Sequence, residues 1–309
     1  MSRLGEFGWR ATGRVVSVPP ATDVPDGRMV DLPGRGSTFV VDTGPPDGTA
    51  ARPTLLLLHA LACTGLLTWY PAIAALRRNY RLVAFDQRWH GQGIRSPRFR
   101  LEDCADDAIA VADALGIDVV VPVGYSMGSL VAQLAWRQHP DRVGGAVLCA
   151  TTNRFTESGR EPAALRAISS GLGQAAAWRL RSVRESEAVT VPAAEHNRWA
   201  LAQLRTTKGS GIAGAVATIS RFDSTAWIDQ VDVPVAVVVT ARDRLIPPAR
   251  QHWVARQIPD ATVYEIPAGH ASCVLKAAVF TPALQAACAS VSGRISARAA
   301  AQSSVRVPR

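Results

Sequence analysis

Ser126, Asp243 and His270 are the residues of this chain that could together perform nucleophilic chemistry. A serine hydroxyl is a weak nucleophile at neutral pH and needs a base within hydrogen-bond reach. Histidine serves as that base when a carboxylate fixes its tautomer and stabilises the imidazolium. Ser126 lies in Gly124-Tyr125-Ser126-Met127-Gly128, and Asp243 and His270 follow it in the order that accompanies a Gly-x-Ser-x-Gly turn. The implied chemistry is attack on a carbonyl carbon through a covalent intermediate. It also requires two N–H donors for the developing oxyanion. Met127, next after the nucleophile, is expected to supply one backbone donor, and Leu61 in Leu58-His59-Ala60-Leu61-Ala62 the other. Each part has a plainer use: a Gly/Ser turn, a structural loop histidine, or an aspartate ion-paired between Arg242 and Arg244. Their coincidence at three successive strand ends carries the catalytic reading.

The elements that must position these groups can be read on either side of them. Val119–Val123 is a short β-branched run suited to a buried parallel strand, and Ser129–Trp136 repeats apolar side chains at helical spacing. Strand, tight turn and helix lift the serine oxygen clear of the backbone, and glycines two before and two after it remove Cβ atoms that would collide. Val235–Thr240 and Thr262–Ile266 read as the strands preceding Asp243 and His270. Arg14–Val18, Ser37–Asp42, Thr54–Leu58, Arg81–Phe85 and Gly145–Cys149 are further predicted strands. Helices are predicted from Pro71, over Cys104–Leu115 with Gly116 closing, from about Pro248, and from about Ala271. Strands alternating with helices imply an α/β fold with a doubly wound, mostly parallel sheet. Residues 153–225 lack strand-like runs and read as Ala-rich helical segments carrying Leu165, Ile168, Trp178, Leu180, Trp199, Leu201 and Leu204. They read as a helical lid inserted between core segments 1–152 and 226–290, with 291–309 a frayed basic tail.

Bulk composition limits the alternatives. The 309 residues are 48% hydrophobic, enough for a large core, and mean hydropathy is near zero at +0.07. No apolar stretch approaches a membrane span, and the first residues lack the apolar core of a secretory signal, so a cytoplasmic protein is expected. The net charge of +9 comes from 32 Arg and 2 Lys, dispersed without an aromatic-interleaved basic stripe, which argues against nucleic acid as a partner. Five widely spaced cysteines form no C-x-x-C or Cys/His cluster and are expected as buried free thiols. No glycine-rich phosphate loop or metal-ligand spacing appears, so no cofactor and no metal is implied. A homo-oligomer remains open.

The chain resembles the α/β-hydrolase superfamily, in its esterase/haloperoxidase-like branch with a helical cap. The resemblance spans about residues 37–290. It rests on the leucine run ending His59-Ala60, on Phe85-Asp86-Gln87-Arg88-Trp89-His90-Gly91, on the turn at 124–128, on Thr240-Ala241-Arg242-Asp243, and on Ala268-Gly269-His270. It departs from the family pattern twice: Ala60 replaces the usual glycine of the oxyanion turn, and Trp89 replaces the first glycine of Arg-Gly-His-Gly. A serine nucleophile separates it from the related epoxide hydrolases and haloalkane dehalogenases, which use aspartate there, and no His-x-x-x-x-Asp acyltransferase motif is present.

The resulting expectation is hydrolysis of a carboxylic ester with an apolar acyl or alcohol group, through an acyl-enzyme on Ser126. Trp89, Trp199, Ile246 and Val274 are candidate substrate-binding residues, since pockets of this kind are mainly apolar. His59 and His90 are expected to brace their loops. Carbon–carbon hydrolysis of a diketone, thioester cleavage and perhydrolysis use the same constellation, and a ligand-binding protein on this fold is the non-enzymatic alternative.

Overall fold

The computed structural model describes residues 18–21, 24–46, 52–155 and 191–305. Strand β1 (Arg28–Leu32) and strand β2 (Gly36–Asp42) form an antiparallel hairpin, and β3 (Thr54–Leu58) leads into α1 (Gly65–Leu76). Next come β4 (Leu82–Phe85), α2 (Leu101–Ala114), β5 (Val120–Tyr125), α3 (Met127–Gln138) and β6 (Ala146–Cys149). Then follow α4 (Val191–Arg205), α5 (Gly209–Ile219), β7 (Val235–Thr240), α6 (Pro248–Gln257) and β8 (Thr262–Ile266). Helices α7 (Ser272–Leu275) and α8 (Ala277–Val305) follow.

The eight strands make one sheet in the order β1-β2-β4-β3-β5-β6-β7-β8. The β1/β2 and β2/β4 pairs are antiparallel, and every pair from β4 to β8 is parallel. Parallel strands are covered on both faces, so their sequences are continuously apolar and successive side chains enter opposite layers. Leu56 and Leu58 pack with α2 and α3, whereas Leu55 and Leu57 pack with Trp69 and Ile73 of α1 and Phe280 and Leu284 of α8. The sheet is thus sandwiched between helical layers, and the turns leaving the carboxyl ends of β3, β5, β7 and β8 gather at one edge.

Several elements differ from the sequence expectation. Helix α1 begins at Gly65, six residues before Pro71, because the Thr64 hydroxyl accepts from the Leu67 amide at 3.0 Å and caps it. Pro71 lies inside the helix. Strand β1 falls in a stretch between the predicted strands Arg14–Val18 and Ser37–Asp42; its alternation of exposed Met29 and Asp31 with buried Val30 and Leu32 is the period-2 signal of a half-buried strand. The segment beyond Val291 is no frayed tail as far as Val305. The buried Val291 and a bond from Arg294 Nη2 to the Val235 carbonyl (2.6 Å) hold its base, and the alanines from Ala297 to Ala301 extend the helix.

Residues 156–190 of the expected lid, and the expected strand from Arg14 as far as residue 17, lie outside the described residues. Helices α4 and α5 and the turn between them contact the loops after β3 and β4 and helix α1. Thr64 Oγ1 donates to Gln203 Oε1 (2.8 Å), the Gly91 amide donates to Thr207 Oγ1 (3.1 Å), and Trp199 meets Tyr70 edge to face at 4.8 Å between ring centroids. Among the described residues, no helix is long and apolar enough to cross a membrane.

Candidate active site

Ser126 stands between β5 and α3 with φ 53° and ψ −116°. A non-glycine residue rarely adopts positive φ, and strain of this kind costs roughly 1–3 kcal/mol. The close approach of strand and helix imposes it: a Cβ on Gly124 would overlap the Gly128 carbonyl, and one on Gly128 would overlap the carbonyl oxygen of Leu58. The second contact brings the first turn of α3 against the end of β3, where His59-Ala60-Leu61 departs.

The structure brings Ser126, His270 and Asp243 into one hydrogen-bonded line. Ser126 Oγ donates to His270 Nε2 at 2.9 Å, and His270 Nδ1 donates to Asp243 Oδ2 at 2.7 Å. The Asp243 side chain is fully buried and that of His270 is 18% exposed, so the line opens outward at the histidine and serine. Asp243 is fixed by its own turn, with the amides of Leu245 and Ile246 both donating to Oδ1 at 2.9 Å and Thr240 Oγ1 to Oδ2 at 2.8 Å. Burial pushes the Asp243 carboxyl up. The hydrogen bond and charge of His270, the Ile246 amide and the Thr240 hydroxyl outweigh that and leave it below the usual carboxylate value. Two other acids, Asp223 and Asp232, are engaged elsewhere: Asp223 Oδ1 accepts from the Thr225 amide and Asp232 Oδ1 from Trp136 Nε1.

Backbone contacts between neighbouring loops hold the acid and the base together. The Arg242 amide donates to the Ala268 carbonyl (3.0 Å), joining the turn after β7 to the turn after β8. The buried Tyr125 hydroxyl, on the residue before the nucleophile, donates to the His270 carbonyl at 2.7 Å and lies 2.9 Å from Ser272 Oγ. Gln251 of α6 accepts from the Thr240 amide (3.0 Å) and donates to Thr240 Oγ1 (2.8 Å) and the Ile246 carbonyl (2.9 Å). Sequence reasoning missed Tyr125 and Gln251 as supports. The available signal was a polar group on a side otherwise buried, since Gln251 has no exposed surface.

Among the described residues, neither the Met127 nor the Leu61 amide has a hydrogen-bond acceptor within the protein. Met127 is the first residue of α3, where the helix dipole adds positive potential. One unengaged donor thus stands on the residue next to the serine and the other in the turn after β3. Ala60 does not take positive φ; Ala62 (63°) and Trp89 (68°) do. The turns beneath them rest on two histidines in T-shaped contact, 5.1 Å between ring centroids. His59 Nε2 accepts from the Gln87 amide (2.8 Å) and its Nδ1 donates to the Ala60 carbonyl (2.8 Å), while His90 Nδ1 donates to the Arg88 carbonyl (3.0 Å). Burial lowers both: His59 to about 4, and His90, with the His59 charge adding to it, to about 3. They are neutral braces rather than bases.

The expected pocket residues have varied surroundings. Trp89 donates from Nε1 to the Ser96 carbonyl (2.9 Å), packs on Phe99 at 5.4 Å between centroids, and lies against Gly214 of α5, where a Cβ would strike its indole. Trp199 sits in a cluster with Tyr70, Leu67 and Leu201. Ile246, 1% exposed, is a core residue that reaches the site through its amide. Leu61 and Val274 are half-buried and retain apolar surface. Burial pushes the Cys63 thiol up to about 11, and raises those of Cys104, Cys149, Cys273 and Cys288, so Ser126 is the group here with an activating base.

Residues 53–277 match the model of a family described as alpha/beta hydrolase fold. A pimeloyl-[acyl-carrier protein] methyl ester esterase of Chromobacterium violaceum is 31% identical over 231 residues, covering 71% of this chain and 87% of that protein. A 3-oxoadipate enol-lactonase of Acinetobacter baylyi is 24% identical over 257 residues, covering 77% and 90% respectively. Among solved structures, the enol-lactonase from Burkholderia xenovorans superposes with a TM-score of 0.66 at 24% identity, covering 83% of this chain and 98% of that one. An esterase from Exiguobacterium antarcticum gives 0.69 at 17% identity, covering 86% and 100%. At these identities the structural likeness speaks for the fold.

Proposed function

The chain belongs to the alpha/beta hydrolase fold family, and on that footing we propose that it is a serine hydrolase cleaving carboxylic esters with an apolar acyl or alcohol group. The observation that carries this reading is the unbroken line from the strained Ser126 hydroxyl through His270 to the buried Asp243 carboxylate. In the first half-reaction His270 Nε2 takes the Ser126 proton as Oγ bonds to the ester carbonyl carbon. The negative oxygen turns toward the amides of Leu61 and Met127. Collapse breaks the carbon–oxygen bond to the alcohol, which leaves with the proton from His270 and an acyl group on Ser126. In the second half, water loses a proton to His270, attacks the acyl carbon and releases the acid, and the proton returns to Ser126. Asp243 stays ionised throughout, holding the Nδ1–H and offsetting the imidazolium charge. No group outside the chain is required beyond substrate and water.

The ester bond is preferred over a carbon–carbon or thioester bond because the relatives' names denote a methyl ester esterase and an enol-lactonase, both acting at a carbonyl–oxygen bond. The apolar side of the substrate rests on Leu61 and Val274 beside the catalytic line. Residues 153–225 are read as the lid over this edge, supported by the contacts of α4 and α5 with the loops after β3 and β4.

A fluorophosphonate probe and a series of p-nitrophenyl esters of increasing acyl length test the proposal. Wild-type protein is expected to be labelled and to turn over the esters, and Ser126→Ala to do neither. Labelling with no hydrolysis across the series would replace ester chemistry by the carbon–carbon alternative. No labelling of wild type would favour a ligand-binding protein.

A further inference from the structure

A buried polar chain runs beneath the nucleophile to the two ends of the insertion. Ser129 Oγ, on the first turn of α3, donates to the Ser126 carbonyl at 2.6 Å. The same hydroxyl lies 3.0 Å from Thr151 Oγ1 and is the donor of that pair as well. Gln133, one turn along α3, donates from Nε2 to Thr151 Oγ1 (3.0 Å) and to the Thr152 carbonyl (3.1 Å). Its Oε1 accepts from the Ser224 hydroxyl at 2.7 Å. Thr151 and Thr152 stand where the chain leaves β6 for the insertion, and Ser224 where it returns. The two ends are clasped to each other: the Ser224 amide donates to the Asn153 carbonyl (2.9 Å), Asn153 Nδ2 donates to Thr225 Oγ1 (2.7 Å), and the backbones of Arg154 and Asp223 pair in an isolated antiparallel bridge. Every side chain in the path is buried, with Gln133 at 3% and Ser129, Thr151 and Ser224 at zero exposure.

These bonds link Ser224 through Gln133, Thr151 and Ser129 to the carbonyl of a residue held at φ 53°. In a low-dielectric interior, breaking one of these bonds leaves buried groups unpaired on both sides. The Ser126 carbonyl begins the helix whose first free amide is that of Met127. Its restraint therefore bears on both the hydroxyl and the oxyanion donor.

We propose that Gln133 is a positioning residue that ties the placement of the insertion's two ends to the backbone of Ser126, so that a change at either end is felt at the other. This rests on Ser126 being the nucleophile, as proposed above. A network that merely satisfies buried groups would lower stability when cut but would leave the remaining enzyme with ordinary turnover.

The test uses the full-length chain with Ser224→Ala, Ser129→Ala, the double variant, and Gln133→Met. Ser224→Ala, remote from the reacting atoms, is expected to lower kcat about tenfold with KM nearly unchanged, and the double variant to be no slower than Ser129→Ala alone. Gln133→Met should match Ser224→Ala; if it fails to fold, the Ser129/Ser224 cycle stands by itself. Additive effects on kcat, or an unchanged kcat in Ser224→Ala, would overturn the link. Coupling must also run the other way. Hydrogen exchange at the Ser224 amide, read by mass spectrometry, should quicken about tenfold in Ser129→Ala, and an unchanged rate overturns the proposal without reference to turnover. Wild-type protein unlabelled by fluorophosphonate would instead refute the hydrolase reading, leaving the exchange arm to decide the link.

Discussion

Acid should destabilise this protein through the two buried histidines of the turns after β3 and β4, by an amount that can be worked out. His59 and His90 are held neutral, lowered by burial from 6.5 to about 4 and about 3. Because both folded values lie below the unfolded one, the unfolded chain takes up protons first as pH falls. The stability is intact above about 6.5 and drains away below it, continuing until pH passes the folded values near 4 and 3. Moving from about pH 7 to about pH 5 traverses roughly one and a half units below the unfolded value, which removes about 2 kcal/mol per histidine, or ~4 kcal/mol in all. That is a large part of a typical stability of about 5–15 kcal/mol. Asp86, whose carboxyl burial raises, works in the opposite sense, so a comparison of variants isolates the histidines. Urea unfolding followed by circular dichroism at the two pH values gives the free energies. His90→Asn retains a donor for the Arg88 carbonyl but cannot take up a proton, and should lose only about half as much as wild type. Equal stability at both pH values, or a His90→Asn protein with the full wild-type loss, would refute the reasoning.

Asp243→Asn should lower ester turnover by about 10⁴-fold while substrate binding persists, because the amide no longer holds His270 in the tautomer that accepts the serine proton; steady-state kinetics with a p-nitrophenyl ester reads this. Tyr125→Phe removes the hydroxyl that holds the His270 carbonyl and should reduce kcat several-fold with little change in KM and a melting temperature lower by a few degrees, since a buried hydrogen bond contributes about 1 kcal/mol. Gly128→Ala should be far worse, because its methyl group meets the Leu58 carbonyl oxygen and strand and helix must separate; a loss of roughly 3 kcal/mol or more, or insolubility, is expected in thermal unfolding.

The parallel core was legible because its physics is local in sequence. Strands β3, β5, β6 and β7 are unbroken apolar runs, and each was read to within a residue or two of its observed bounds. The same holds for the three residues that meet at the sheet edge, since strand ends in this topology must converge there. What escaped was decided by contacts between distant segments. Pro71 looked like a helix start, yet Thr64 caps α1 earlier, with a hydroxyl that also reaches Gln203 of α4. Strand β1 owes its place to pairing with β2 at a sheet margin, and α8 continues because Arg294 docks on β7 and β8. Tyr125 and Gln133 each sit in an apolar run and Gln251 between Arg250 and His252, where the polar atom is visible but its partner is not. Trp89 stood out as a departure, but only coordinates reveal that its indole faces α5.

That last contact makes residue 89 and α5 a matched pair. A tryptophan in left-handed backbone conformation fills a notch that exists only because residue 214 has no side chain. Neither half can drift alone: a methyl at 214 collides with the indole, and a glycine at 89 relaxes its own turn but leaves a void under the helix. Chimeras that graft a foreign insertion onto this core should therefore fail unless the loop after β4 travels with it.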